Sequence, residues 1–176
     1  MSLIQTALQG AERRIQSYPW GDAVWHVWGG SNAAAAPPLV LLHGGSGSWT
    51  HWVRNVQYLS QHRPVWALDL PGFGDSGLPG DVRDADSLAP YVGHILHDSF
   101  GGAPVDVMGF SFGGMTAGLL AAAQPACIKQ LILVGVPGLG LLGEVLPMRG
   151  MSPEMSEVQQ RAVHRHNLNA MMLAHD

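Results

Sequence analysis

The sequence predicts an α/β protein built on a doubly wound, mostly parallel sheet, and three observations predict it. Apolar runs of strand length alternate with stretches of helical spacing from Leu39 to Val136. The runs lack the polar alternation of a half-solvated strand, as strands covered on both faces do. The residues with chemical potential, His43, Asp69 and Ser111, each fall where such a run ends, on the carboxyl edge that carries ligands in these sheets.

Composition narrows the class. With 176 residues, 47% of them apolar and 12% charged, the chain can bury one sizeable core. A formal net charge of −4 supplies no basic stripe, so nucleic acid is not an expected partner. The single cysteine, Cys127, cannot form an internal disulfide and suits a reducing compartment. The opening residues lack a basic stretch followed by an apolar core, which leads to a cytoplasmic expectation. Val107 to Ile128 is uncharged, but its glycines, Ser111, Thr116, Gln124 and Pro125 suit a buried strand and helix, so no membrane span is expected.

In order, Arg14 to Ser17 and Ala23 to Trp28 suit short strands, separated by the turn formers Pro19, Gly21 and Asp22; an opening hairpin is expected. Ser31 to Pro38 reads as a surface connection. The strand candidate Leu39 to Leu42 ends in His43-Gly44-Gly45-Ser46-Gly47-Ser48-Trp49, where glycines let backbone N–H groups turn towards a ligand. Trp52, Val56 and Leu59 then give Trp49 to Ser60 helical spacing. Pro64 to Leu70 is the next buried strand and leads into Asp69-Leu70-Pro71-Gly72-Phe73-Gly74-Asp75-Ser76-Gly77. Gly72 to Gly77 and Gly138 to Gly143 both spell G-x-G-x-x-G. The first leads into Leu78-Pro79-Gly80 rather than a helix, and neither has the acidic residue of a dinucleotide site, so no cofactor is expected. Asp86 to Ser99 carries Leu88, Tyr91, Val92, Ile95 and Leu96 on one face, as a surface helix does.

Val105 to Gly114 organises the rest. An apolar strand stops at Gly109-Phe110-Ser111-Phe112-Gly113, and a helix of small residues, Met115 to Ala123, follows. In that context G-x-S-x-G forms a nucleophile elbow, a turn so sharp that Gly109 and Gly113 are needed for room. It exposes the Ser111 hydroxyl and leaves the Phe112 N–H at a helix N-terminus, where the dipole favours an oxyanion. The Gly45 loop is the natural second donor.

Pro125 closes that helix, and Lys129 to Val136 reads as another buried strand. Pro137 to Gly150 is a Gly- and Pro-punctuated loop, and Ser152-Pro153-Glu154 opens a Met-rich helical segment, which divides the chain into 1–136 and 137–176. His164 and His166, two apart on a helix, face different ways and predict no metal site.

The three ordered motifs, His43-Gly44-Gly45, Asp69 to Ser76, and Gly109 to Gly114, resemble the α/β-hydrolase superfamily over about Arg14 to Val136. The resemblance implies Ser111 as nucleophile, the N–H groups of Gly45 and Phe112 as oxyanion hole, and Gly109, Gly113 and Gly114 as elbow glycines. It makes His43 a structural histidine beside the hole, and 137–176 the start of a helical cap on a sheet incomplete at its C-terminal side. Serine at the nucleophile position speaks against the family's dehalogenases and epoxide hydrolases, which place aspartate there. The family order is Ser, then acid, then His. Only 65 residues follow Ser111 and they read as helical, so the triad acid and base are expected beyond Asp176 and not at His164, His166, His175 or Asp176. The implied function is hydrolysis of a small-molecule carboxylic ester through an acyl-enzyme, the 176-residue chain itself being inactive. A carbon-carbon bond hydrolase of aromatic ring-cleavage products is the nearest alternative, and a non-catalytic fragment or ligand-binding remnant is the alternative from another class. An uncovered Lys129 to Val136 edge would also favour self-association.

Overall fold

The computed structural model describes residues 1–29, 36–137, 149–150, 152 and 154–172, with side chains as far as 167. The described part falls into two units that divide after Pro137.

The first unit begins with an element the sequence did not announce, α1 (Leu3–Ala7). Ser2 and Gln5 cap it reciprocally, the Ser2 hydroxyl accepting the Gln5 N–H and the Gln5 side chain the Ser2 N–H. The Ala7 carbonyl at its end accepts from the Trp28 indole at 2.7 Å and from the Gln57 side chain at 3.0 Å, so tertiary contacts hold a helix too short to stand alone. The hairpin follows as β1 (Glu12–Tyr18) and β2 (Gly21–Trp28), antiparallel in continuous register from Glu12–Val27 to Tyr18–Gly21. It exceeds the expected strands because polar ends such as Glu12 and Arg13 remain in the ladder while exposed.

Four strands complete the sheet: β3 (Leu39–Leu42), β4 (Val65–Asp69), β5 (Val105–Phe110) and β6 (Ile128–Val134), in the order β1-β2-β4-β3-β5-β6. The β3–β4, β3–β5 and β5–β6 pairs are parallel, while β1–β2 and β2–β4 are antiparallel. The unalternating apolar runs have a direct cause. One face, with Val40, Leu42, Leu68, Val105 and Val107, packs under α3 (Ala85–Phe100) and α4 (Phe112–Ala123). The other, with Leu39, Leu41, Val65 and Ala67, packs under Trp49, Trp52 and α2 (Val56–Leu59). Arg63, bonded to the buried Asp106 carboxylate at 2.5 Å and to the Pro37 carbonyl, ties together the starts of β3, β4 and β5.

Three elements differ from expectation. Trp49 to Ser60 is not one helix but a 3₁₀ turn, Trp49–Trp52, then α2. The Ser48 hydroxyl accepts the Thr50 N–H and the Asp69 carboxylate takes the Trp49 N–H, which pins the segment into the tighter turn. The strand β6 is not buried along its length: its exposure alternates, and Ile132 and Val134 are 39% and 41% exposed. Helix α3 gains a residue at each end, because Asp84 and Ser87 form a capping box and Gly101, at φ 61°, closes the helix in the left-handed conformation.

The second unit is described mainly as α5 (Glu157–Met172). It opens later than Ser152-Pro153-Glu154, since the reciprocal caps are Ser156 and Gln159: the Ser156 N–H donates to the Gln159 side chain at 2.8 Å and the Gln159 N–H to the Ser156 hydroxyl at 3.4 Å. The Asn167 side chain clasps the backbone of Arg149 through both its amide groups.

Candidate active site

At the carboxyl edge β5 turns into α4 through one residue, Ser111, at φ 52° and ψ −118°. Non-glycine residues enter such regions at a cost of about 1–3 kcal/mol. Ser111 stands where an N-cap would, yet its hydroxyl makes no capping bond. Hydroxyl and first-turn N–H groups are therefore not consumed by each other. The turn is held instead by its backbone, with the Ser111 N–H donating to Val134 O at 2.9 Å and the Met115 N–H to Ser111 O at 3.0 Å.

The glycine spacing follows from contact between backbones. A Cβ on Gly109 would fall 2.5 Å from Gly114 Cα and 2.6 Å from Gly113 O; one on Gly113 would meet Leu42 O at 2.5 Å and also His43 O. One on Gly114 would strike Val136 and lie 2.9 Å from Gly109 O. Helix α4 thus starts flush against β5 and the end of β3.

The loop after β3 lies over this turn. The Cβ position of Gly44 is 3.3 Å from Ser111 Cβ and 3.0 Å from the Phe110 ring, and that of Gly45 is 3.6 Å from Phe112 Cβ. Among the described residues the only non-glycines with positive φ are Ser111 and Ser46, at 56°, and they sit on these two facing segments. The Gly44 N–H is taken by His51 Nδ1 at 3.1 Å. Among the described residues neither the Gly45 nor the Phe112 N–H has a protein acceptor. One hydroxyl and two N–H donors are thus available where the segments meet.

His43, fully buried, is fixed on both sides. Its Nε2 accepts the Leu70 N–H at 3.0 Å, so Nδ1 carries the proton and donates it to Gly44 O at 2.8 Å. Burial is the main influence and lowers its pKa, against the opposing pull of the Gly44 carbonyl and Asp69. With both nitrogens engaged, this ring has no lone pair for Ser111 and serves as a brace for the loop.

Asp69 braces the same loop from the other side. Its buried carboxylate accepts the Trp49 N–H at 2.7 Å and the Asp75 N–H at 3.1 Å, and its carbonyl accepts the Ser76 hydroxyl at 2.6 Å. Gly72 to Gly77 wraps around this carboxylate, and a Cβ on Gly74 would collide with it. Asp69→Asn keeps the shape but points an amide N–H₂ at one of two backbone donors, the buried Trp49 N–H or the half-buried Asp75 N–H. We expect a loss of about 1–3 kcal/mol in unfolding free energy, measured by chemical denaturation; an unchanged midpoint would deny the carboxylate this role.

Sequence reasoning missed His51 and Gly47. The ring of His51 rests on Gly47, where a Cβ would lie 2.8 Å from Nδ1 and closer still to other ring atoms, and it meets the Phe110 ring edge-on with centroids 5.7 Å apart. Only the spacing of a glycine four residues before a histidine could have hinted at it. His164 and His166 lie on α5 in the second unit, whereas His175, Asp176 and Gly138 to Gly143 fall outside the described residues. Among the described residues of the first unit no imidazole is bonded to the Ser111 hydroxyl; among the described residues no group of three or more metal-ligating side chains occurs, and no helix is long and apolar enough to cross a membrane.

Residues 37–170 match the profile of a family described as alpha/beta hydrolase fold. The chain is similar to 1-acylglycerol-3-phosphate O-acyltransferase ABHD5 of Rattus norvegicus, 33% identical over 117 residues that cover 65% of this chain and 33% of that protein. It is also similar to (lyso)-N-acylphosphatidylethanolamine lipase of Bos taurus, 32% identical over 124 residues covering 69% and 36% respectively. Among solved structures, a membrane phospholipase A described as a bacterial virulence factor aligns with a TM-score of 0.71 at 23% identity, over 96% of this chain and 61% of its own. The chain spans about a third of the length of these curated relatives.

Proposed function

The chain belongs to the alpha/beta hydrolase fold family, and from that premise we propose that it carries the nucleophile and oxyanion hole of a serine hydrolase acting on carboxylic esters. The observation that carries the reading is the uncapped Ser111 hydroxyl at a strained turn, faced by the Gly45 loop. Ser111 Oγ attacks the acyl carbon while a base takes its proton; the N–H groups of Gly45 and Phe112 hold the oxyanion; collapse expels the alcohol, and water then releases the acid. His43 is not available as that base, so in this proposal the triad acid and base come from the longer protein, with 137 onwards as the start of its cap. The likeness to an O-acyltransferase and to a lipase favours an acyl ester over a carbon-carbon bond as the substrate.

A fluorophosphonate probe tests this, since it reports a serine activated by a neighbouring base. The 176-residue chain should label negligibly, and the full-length protein should label at Ser111 and lose the label in Ser111→Ala. A full-length protein that stays unlabelled would support a ligand-binding remnant instead, and a label on another residue would remove Ser111 as the nucleophile.

A further inference from the structure

His51 sits beside the site without a part in the chemistry above. Its Nδ1 accepts the Gly44 N–H at 3.1 Å, so the neutral ring carries its proton on Nε2. That bond fixes the amide next to Gly45, the residue whose own N–H is left for a ligand. Gly47 makes room for the ring on one side, Phe110 meets it on another, and His43 lies edge-on with centroids 6.0 Å apart. His43 is the titratable group packed against the ring among the described residues; the Asp69 carboxylate is engaged by the Trp49 N–H. The ring is exposed on its outer side, and desolvation on the inner side lowers its pKa.

We infer that His51 is a positioning residue: by accepting the Gly44 N–H it sets the direction of the Gly45 N–H over Ser111, and a proton on Nδ1 releases the loop. A protonated Nδ1 is a donor facing a donor, so the bond is lost and the 44–46 segment, already strained at Ser46 with φ 56°, is free to relax. The meaning of this for catalysis rests on the ester hydrolase reading; the coupling of His51 to the loop does not.

Amide NMR of the ¹⁵N-labelled chain between pH 5 and pH 8 tests the coupling directly. The Gly44 and Gly45 resonances should shift in one step, with the midpoint of the His51 ring and below the ordinary histidine value of 6.5. His51→Asn, which retains an acceptor at the Nδ1 position but does not titrate, should abolish the step and keep the high-pH positions. His51→Phe, which retains the ring on Gly47 without an acceptor, should displace both resonances at every pH and speed Gly44 amide exchange about tenfold. Glycine resonances that ignore the His51 midpoint, or a step that survives in His51→Asn, would overturn the inference. In the full-length protein His51→Phe should lower kcat more than it raises KM. A coupled loop with an unreactive Ser111 would sink the hydrolase reading alone, and a reactive Ser111 with an uncoupled loop would sink this one alone.

Discussion

On the proposed serine hydrolase reading, Ser111→Ala is expected to lower kcat for ester hydrolysis by a protein that carries the complete triad by about 10⁶-fold, with KM little changed, because it removes the attacking atom and leaves the binding surface in place. The substitution is informative because it is structurally quiet. The Ser111 hydroxyl makes no cap for α4, and the bonds that fix the turn come from its backbone N–H and carbonyl. Alanine tolerates φ 52° no better than serine, so the strain is retained and the denaturation midpoint should barely move. Steady-state kinetics on a chromogenic short-chain ester reads the first effect and urea denaturation the second. A variant that retains a tenth of wild-type turnover would remove Ser111 from the chemistry, and one that raises KM with kcat intact would make it a binding residue.

Gly113→Ala should give the largest loss of stability, about 3 kcal/mol, or roughly 10 °C in Tm for a chain of this size. A methyl group there meets Leu42 O at 2.5 Å as well as the His43 carbonyl. Those are backbone atoms of a central strand, which cannot rotate away as a side chain could. Either α4 lifts from β3 or the start of the loop moves, and the second outcome carries Gly45 with it. Gly118 on the same helix is the control: a Cβ there meets nothing within 4 Å, so Gly118→Ala should be neutral or stabilising by about 0.5–1 kcal/mol. Equal melting temperatures for the two variants would show that the elbow is not packed backbone to backbone.

The central strands were legible because burial on both faces writes itself as an unbroken apolar run, as at Leu39 to Leu42. The elbow was legible for a different reason: the turn admits so few residue types at 109 and 113 that the letters almost spell the geometry. The 3₁₀ turn at Trp49 was not legible, since its cause is a bond from the Trp49 N–H to a carboxylate twenty residues on. Helix α1 depends in the same way on Trp28 and Gln57. His51 escaped because its role is a contact with Gly44 and Phe110 that no local pattern encodes. The contacts that shape the Trp49 turn and α1 run across the sheet, where no run of neighbouring residues records them.

The strand order has a kinetic consequence. Strand β3 pairs with β5 across the whole of β4 and α3, and the Ser111 N–H is bonded to Val134, beyond α4. Every segment that meets at Ser111 is therefore remote in the chain from the others, and closing those loops must precede any gain from the contacts. Chains dominated by such non-local pairing fold over milliseconds to seconds, more slowly than helical bundles. No early helix or hairpin can hold Ser111 at its strained angle by itself, so that geometry matures only when the parallel strands have zipped together. Until then a nascent chain carries an ordinary serine in an ordinary turn.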